Sequence, residues 1–165
     1  MTEPVYAAIE AGGTKFVCAI GTADGTLRER VRFATRDPDN TLAEARGFFE
    51  AAAQRHGTPQ ALGIASFGPL DLDPNAPLYG RLLRTPKAGW HDADLIAPFA
   101  HLGIPVALDT DVNAAALAES TVRCGAPCVF AIGAWKPTAP PVADTSRPSI
   151  TTFGSGKRSR RAWVC

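Results

Sequence analysis

The stretch Val5-Tyr-Ala-Ala-Ile-Glu-Ala-Gly-Gly-Thr-Lys-Phe-Val-Cys-Ala-Ile20 places two apolar, β-rich runs on either side of a glycine pair. Runs of this composition predict strands, and a glycine pair between them predicts the turn of an antiparallel hairpin. A third β-rich run, residues 27–35, follows a turn at Ala23-Asp24-Gly25 and completes a three-strand meander. Its arginines occupy alternate positions, which is typical of an edge strand with a wet face and favours solvation over nucleic-acid binding.

Helical and strand patterns alternate after the meander. Apolar residues recur at helical spacing over 39–56, and Gly57 follows as a stop signal. The continuously apolar run 61–67 predicts a strand that is buried on both faces. The remaining predicted elements are loops at 68–90, a short helix at 92–102, a buried strand at 104–108 and an alanine-rich helix at 114–119. This order predicts a mixed α/β sheet, in which ligands collect at the carboxyl ends of the strands.

Composition and charge exclude several classes of protein. Of the 165 residues 45% are apolar, yet no apolar run reaches the roughly 18 residues that span a bilayer, and no secretory leader pattern opens the sequence. We therefore expect a cytoplasmic protein without a membrane partner. The four cysteines lack the spacing of a zinc site or a disulfide framework. Residues 1–120 hold 10 Lys and Arg against 15 Asp and Glu, whereas residues 121–165 hold 7 against 1.

The predicted hairpin turn has the chemistry of a phosphate cradle. Gly12 and Gly13 let the backbone approach a polyanion closely, Thr14 adds a hydroxyl and Lys15 adds a positive charge. Glu10, just before the glycines, is placed to act on Mg²⁺ through water. Two glycines in a hairpin are also compatible with a simple turn without a ligand.

A candidate proton acceptor lies about a hundred residues downstream. Asp111 and Asn113 fall at the junction between the predicted strand 104–108 and the helix after it. Phosphoryl transfer needs a phosphate cradle, Mg²⁺ and a carboxylate that accepts the proton of the attacking hydroxyl, and Asp111 supplies that carboxylate. An aspartate at this position is also the usual N-cap of a helix, so its position alone leaves both roles open.

Four motifs resemble, in order and spacing, those of the ROK family of sugar kinases. They are Ile-Glu-Ala-Gly-Gly-Thr-Lys-Phe at 9–16, Gly-Ile-Ala-Ser-Phe-Gly-Pro-Leu-Asp at 63–71, Thr-Pro-Lys-Ala-Gly-Trp at 85–90 and Thr-Asp-Val-Asn-Ala-Ala-Ala-Leu at 110–117. The resemblance covers residues 1 to about 120 and is closest to bacterial fructokinases. Glu10 and Thr110 are the variants that favour this subfamily, because most relatives have aspartate at the first position and glucokinases usually have asparagine at the second.

The resemblance implies an actin-like, ribonuclease-H-like ATPase lobe, with the active site in a cleft between two lobes. Asp111 would take the proton from the primary hydroxyl of the sugar, and Gly12, Gly13, Thr14 and Lys15 would face the phosphates of ATP. The residues implied on the sugar side are Gly68, Pro69, Thr85, Lys87, Trp90, Thr110 and Asn113. Trp90 is equally compatible with a core residue that seals its loop.

The implied activity is the ATP-dependent phosphorylation of D-fructose to fructose 6-phosphate, with ATP, Mg²⁺ and a hexose as ligands. The alternatives are another hexose or amino-sugar kinase of the family, or an inactive fragment. The family also includes sugar-responsive repressors, but these carry a helix-turn-helix domain ahead of the kinase-like region, and here the first strand begins by Val5. No specific nucleic-acid partner is expected, and the resemblance allows a homodimer for a full-length family member.

Residues 121–165 depart from the family pattern. They are basic, rich in proline and without periodicity, which predicts a disordered tail that follows an N-terminal lobe at 1–120. They match neither the second phosphate loop, nor the zinc-binding Cys and His cluster, nor the second lobe that the family would have. The hypothesis is that this tail is an out-of-frame product, and that the chain is truncated and impaired as a kinase.

Overall fold

The computed structural model describes residues 3–116, which form a five-stranded mixed sheet with one long helix. The strands are β1 (Val5–Ala11), β2 (Lys15–Thr22), β3 (Leu27–Ala34), β4 (Leu62–Ser66) and β5 (Val106–Thr110), in the spatial order β3-β2-β1-β4-β5. β1, β2 and β3 pair antiparallel, and β4 pairs parallel with both β1 and β5. The expected meander and mixed sheet are confirmed, with β3 at the edge.

Helix α1 (Pro38–His56) crosses from β3 to β4 and has clear signals at both ends. The side chain of Asp37 accepts a hydrogen bond from the Asn40 N–H at 2.9 Å, and Pro38 follows the cap. The helix ends at Gly57, whose φ of 88° suits glycine. The residues that α1 buries are Thr41, Leu42, Ala45, Phe49 and Ala52.

One face of the sheet forms the core. Alternate residues point to the same face of a strand, and the buried cluster takes the odd-numbered positions of β1 and the even-numbered positions of β2, β4 and β5. α1 packs on this face, and Leu82, Trp90 and Leu95 from the long connection before β5 extend the cluster. The opposite face therefore carries the even-numbered residues of β1 and the odd-numbered residues of β5.

The helix predicted at 92–102 is wrong over its first half. The structure has a 3₁₀ helix over Ala97–Leu102 only. Asp92 has a φ of 61°, a left-handed conformation that interrupts a helix, and the carboxylate of Asp94 accepts hydrogen bonds from Ile96 N and Ala97 N. The local bonds of Asp94 therefore set the start of the helix.

The predicted strand 104–108 is shifted by two residues, since β5 covers Val106–Thr110. Proline has no N–H to donate to a ladder, and the strand begins directly after Pro105, whose carbonyl accepts from the Leu62 N–H at 2.9 Å. As a result Thr110 is the last residue of the strand. Helix α2 begins at residue 111 and is described to residue 116.

Two predictions extend beyond the described part of the chain. The end of the predicted helix at 114–119 and the whole predicted tail at 121–165 lie outside residues 3–116. Within the described range, no helix combines the length and the apolar character that crossing a membrane requires.

Candidate functional site

The three parallel strands β1, β4 and β5 end in register, and their carboxyl ends form one edge of the sheet. Ala11 at the end of β1 pairs with Ser66 of β4, which pairs in turn with Thr110 of β5. Because neighbouring strands are about 4.8 Å apart, the ends of β1 and β5 lie roughly 10 Å from each other. The glycine turn and Asp111 follow directly on these ends, so the fold brings both to the same edge.

The glycine turn is closed by its own backbone. Gly12 N donates to Lys15 O at 2.9 Å, and a Cβ added at Gly12 would lie 2.8 Å from that oxygen. A side chain at Gly12 therefore cannot be accommodated without moving the turn. A Cβ at Gly13 would meet nothing within 4 Å, so the space over Gly13 is open. This open space beside exposed backbone is what a phosphate cradle requires.

Thr35, the residue that follows β3, holds the turn through two hydrogen bonds. It was not among the predicted site residues. Its hydroxyl donates to Gly12 O at 2.6 Å, and its N–H donates to Thr14 O at 3.0 Å. Only 7% of Thr35 is exposed. The predicted meander contained a signal for this contact, because the residue after β3 stands opposite the turn between β1 and β2 in an antiparallel arrangement.

At the junction of β5 and α2, the residue that caps the helix is Thr110 and not Asp111. The Thr110 hydroxyl accepts from the Asn113 N–H at 3.2 Å, which is the bond of a helix N-cap. Asp111 is exposed, and its carboxylate accepts only from the adjacent Val112 N–H, at 2.8 Å, among the described residues. Thr110 thus performs the capping role that was the alternative for Asp111. Apart from this local bond with the Val112 N–H, the exposed Asp111 side chain has no hydrogen-bond partner in the described range.

Asp109 is a second carboxylate at this junction that the sequence analysis did not select. It accepts hydrogen bonds from Thr110 N and from the Asn113 side-chain amide, both at 2.7 Å. Asn113 is therefore held by Asp109, and its amide nitrogen is engaged within the protein. Tyr79 lies near this carboxylate: burial, with a smaller contribution from the charge of Asp109, raises the pKa of Tyr79 to about 12.

Glu10 and Asp109 occupy the sheet face opposite the core. Both stand in the same row of the sheet, separated by Ala65, because Glu10 pairs with Ala65 and Ala65 pairs with Asp109. No group of three or more potential metal ligands occurs within residues 3–116. Mg²⁺ commonly binds through one or two carboxylates, with water and substrate phosphates completing its shell, so these residues fit that ion better than a metal held entirely by protein.

The segment after β4 is tied to the glycine turn. Phe67 N donates to Ala11 O at 2.9 Å, directly beside Gly12. The Gly68–Pro69 peptide bond is cis, and the Pro69 carbonyl accepts from the Leu83 N–H at 2.8 Å. Gly68 and Pro69 therefore lie at the same edge as the turn.

The Thr85–Trp90 loop contacts the turn through the segment that follows β3. The Lys87 ammonium donates to the Thr35 carbonyl at 3.0 Å, and Lys87 N donates to the Thr85 hydroxyl at 3.3 Å. The Trp90 indole N–H donates to the Arg36 carbonyl at 2.7 Å. Trp90 has no exposed surface, and its ring centroid lies 5.6 Å from that of Phe16. This burial supports the core interpretation of Trp90.

Comparison with known sequences gives a consistent set of relatives. The family profile described as the ROK family matches residues 6–131. The chain is 43% identical over 120 residues to the fructokinase of Zymomonas mobilis and 41% identical over 116 residues to that of Pediococcus pentosaceus. These matches cover 72% and 70% of the chain but 40% and 38% of the relatives. The chain thus spans about two fifths of the length of the curated relatives it matches.

Solved structures show the same fold. The ROK hexokinase from Thermus thermophilus matches with a TM-score of 0.57 and 28% identity, over 71% of this chain and 38% of that one. A ROK family glucokinase from Streptomyces griseus, solved with glucose and AMPPNP, matches with a TM-score of 0.57 and 23% identity, over 70% of this chain and 36% of that one. The described residues therefore have the fold of an actin-like ATPase lobe.

Proposed function

This chain belongs to the ROK family, and on that premise we propose that it carries the phosphate-binding and proton-accepting part of an ATP-dependent fructokinase. The product is fructose 6-phosphate. The observation that supports this most strongly is the register of Ala11, Ser66 and Thr110, which sets the glycine turn and Asp111 at one sheet edge. Phosphoryl transfer depends mainly on positioning and electrostatic stabilisation, and this edge supplies groups for both.

The phosphate groups of ATP would lie over the glycine turn. Neither Gly13 N–H nor Thr14 N–H donates to any acceptor within residues 3–116, and both precede the positively charged Lys15. Backbone N–H groups and an ammonium are suitable donors for phosphate oxygens. Mg²⁺, which neutralises developing charge when bound, would be held through Glu10.

Asp111 would accept the proton of the sugar's primary hydroxyl. A general base must reach the proton it removes, and an exposed carboxylate whose only hydrogen bond in the described range comes from the neighbouring Val112 N–H is free to do so. The sugar would lie toward Gly68, Pro69 and the Thr85–Trp90 loop. Lys87 and Asn113 would also contact the sugar. Because Lys87 already bonds Thr35 and Asn113 already bonds Asp109, they would do so with the hydrogen-bonding capacity that these two bonds leave.

Fructose is favoured over other sugars by the relatives. Five curated relatives are 38–46% identical to this chain, and each is named for fructokinase activity. The second candidate is another hexose or amino-sugar kinase of the family. It is retained because the matches cover only 36–40% of those relatives, so most of each relative has no counterpart in the matched part of this chain.

The test is ADP release with ATP, Mg²⁺ and one sugar at a time: fructose, glucose, mannose, N-acetylglucosamine or N-acetylmannosamine. Two proteins are assayed, the 165-residue chain and a chimera in which residues 1–120 replace the matching part of the Zymomonas mobilis fructokinase. The chimera supplies the remainder of a kinase, so its turnover reports whether this lobe is competent. Each protein is paired with its Asp111→Asn variant.

We expect the chimera to prefer fructose and to lose turnover on the Asp111→Asn change. A folded chimera without turnover would refute the proposed role of this lobe. Greater turnover with glucose or an amino sugar than with fructose would replace the first candidate by the second. Turnover by the 165-residue chain itself, abolished by Asp111→Asn, would refute the hypothesis that this chain is inactive.

A further inference from the structure

Thr35 is the most heavily engaged polar residue beside the candidate site, although none of the four motifs contains it. Its hydroxyl, N–H and carbonyl bond to Gly12 O, Thr14 O and the Lys87 ammonium, at 2.6, 3.0 and 3.0 Å. The residue is 7% exposed, so these bonds are largely shielded from water. One buried threonine therefore joins the glycine turn to the Thr85–Trp90 loop.

The hydrogen bond from the Thr35 hydroxyl determines the direction in which the Gly13 N–H points. The carbonyl of Gly12 and the N–H of Gly13 belong to one peptide unit, and this unit is trans, since Gly68–Pro69 is the cis bond of the described residues. In a planar trans peptide the C=O and the N–H point in opposite directions. Holding Gly12 O against Thr35 therefore directs the Gly13 N–H away from Thr35.

The second bond acts on the next part of the turn in the same way. Thr35 N–H holds Thr14 O, so the Lys15 N–H of that peptide unit also points away from Thr35. The Gly13 N–H has no acceptor within residues 3–116, and a Cβ added at Gly13 would meet nothing within 4 Å. Contacts from one residue thus hold two peptide planes of the turn, and the first of them carries the Gly13 N–H.

We propose that Thr35 is a positioning residue for phosphate binding, which fixes the Gly12–Gly13 peptide plane so that the Gly13 N–H faces the polyphosphate of the nucleotide, and which also holds the Thr14–Lys15 plane beside it. This inference rests on the proposed function for the identity of the ligand. Lys87 contributes to this arrangement because its ammonium donates a hydrogen bond to the Thr35 carbonyl.

The test compares Thr35→Val, which removes the hydroxyl and keeps the side-chain shape and the N–H, with Thr35→Ser, which keeps the hydroxyl. Thr22→Val is the matched control: Thr22 is also buried, and its hydroxyl donates to the Asp24 carboxylate, but it lies at the end of β2 that is remote from the turn. In the 165-residue chain, we would measure the affinity for MgATP by calorimetry and the Gly13 amide resonance by ¹⁵N NMR.

We expect Thr35→Val to weaken MgATP binding about tenfold, the effect of losing one hydrogen bond that orients a binding group, and to shift or broaden the Gly13 amide signal. Thr35→Ser should stay within about threefold of the parent in affinity. Thr22→Val should lower the unfolding midpoint without changing either readout. If Thr35→Val does not fold, Thr35→Ala and Thr35→Ser take its place as the pair without and with the hydroxyl.

The outcomes separate the inference from the proposed function. Parent-like affinity and an unchanged Gly13 amide in folded Thr35→Val would overturn the inference. If the parent chain and the Zymomonas mobilis chimera both fail to bind MgATP, the proposed function fails. In that case the Gly13 amide resonance of Thr35→Val, compared with that of the parent, shows whether Thr35 orients the turn. An equal loss of affinity in Thr22→Val would identify a general effect of stability and would also overturn the inference.

Discussion

Gly12 and Gly13 are neighbours in the sequence but have different reasons to be glycine. At Gly12 the restriction comes from the protein, because a Cβ would lie 2.8 Å from Lys15 O. At Gly13 the protein imposes no such restriction, because the position faces open space. A restriction at Gly13 must therefore come from a ligand, and this difference can be measured.

Gly12→Ala should destabilise the folded chain, whereas Gly13→Ala should leave the urea unfolding midpoint within experimental error. For MgATP binding we expect a large loss in Gly13→Ala, since a methyl group would occupy the space proposed for phosphate. Urea denaturation and calorimetry on both variants check this. Gly13→Ala with parent affinity in the folded state would remove the turn from the proposed site.

Asp111→Asn keeps the size of the side chain but removes its basicity. Because Asp111 accepts only from Val112 N in the described range, we expect no change in fold or thermal stability. In the active chimera, kcat should fall by about 10²- to 10⁴-fold while KM for ATP changes little, as for the loss of a general base. Steady-state kinetics over ATP concentration check this, and a change confined to KM would assign Asp111 to binding.

Residue identities were easier to predict than residue contacts. Glycine, lysine and aspartate in the motifs carry recognisable chemistry, so Gly12, Gly13, Lys15 and Asp111 were selected from the sequence. Thr35 and Asp109 were missed because their importance comes from tertiary hydrogen bonds, and a single threonine or aspartate in a linear sequence has many ordinary roles. The burial of Trp90 could also not be decided locally, since Phe16 and Arg36 approach it from distant positions.

At the scale of elements, the first four strands and the long helix were predicted well, and the short helix and the strand after β4 were predicted less well. The helix expected over 39–56 is observed as Pro38–His56, with its cap at Asp37. The helix expected over 92–102 is reduced to Ala97–Leu102, because the local bonds of Asp94 and the left-handed Asp92 outweigh helical periodicity over a short span. The strand predicted at 104–108 is observed as Val106–Thr110, because Pro105 has no N–H to donate to the ladder and the apolar composition of the run does not reveal this effect.

Phe49 is the largest side chain that α1 buries. It has no exposed surface, and its ring packs edge-on against Phe48 at 5.2 Å and against Phe99 at 6.1 Å. Phe49→Ala should lower the free energy of unfolding by about 3–5 kcal/mol. Phe48→Ala, the same change one residue earlier at a partly buried position, should cost less. Equal losses in urea denaturation would contradict the packing described for α1.

A surface cluster fastens the edge strand β3 to the end of α1. Glu29 lies 2.6 Å from Arg55 and 2.9 Å from His56. The hydrogen bond from Arg55, with a smaller one from His56, lowers the pKa of Glu29 below its ordinary value of 4.5. A carboxylate with a lowered folded-state pKa stabilises the fold above its unfolded pKa, and this contribution is lost as pH falls through the folded pKa.

Glu29→Gln should therefore be less stable than the parent chain at neutral pH. The difference should begin to shrink as pH falls below 4.5 and should vanish below the folded pKa of Glu29. Chemical denaturation at a series of pH values measures it. The effect will be small, because Arg55 is 52% exposed and water screens the pair. A difference that grows on acidification would contradict the assigned cause.

At the scale of the whole molecule, the described lobe is about two fifths of the curated relatives in length, which makes ligand binding a more direct measurement than turnover. A ligand that binds only the folded state stabilises it by about 2.7 kcal/mol at a hundred times its Kd. MgATP should therefore raise the unfolding midpoint of the parent and of Asp111→Asn, but not of Gly13→Ala. Thermal unfolding with and without MgATP checks this, and inorganic phosphate alone serves as the ionic control.

The bonds from Thr35 also affect the thermodynamics of binding. Because the peptide planes of the turn are held by protein groups, their conformational entropy is lost when the chain folds rather than when a nucleotide arrives. The lobe should therefore capture phosphate without a slow ordering step, at a rate governed by diffusion and charge. In Thr35→Val part of that entropy loss would move to the binding event, where calorimetry would record it as a less favourable entropy.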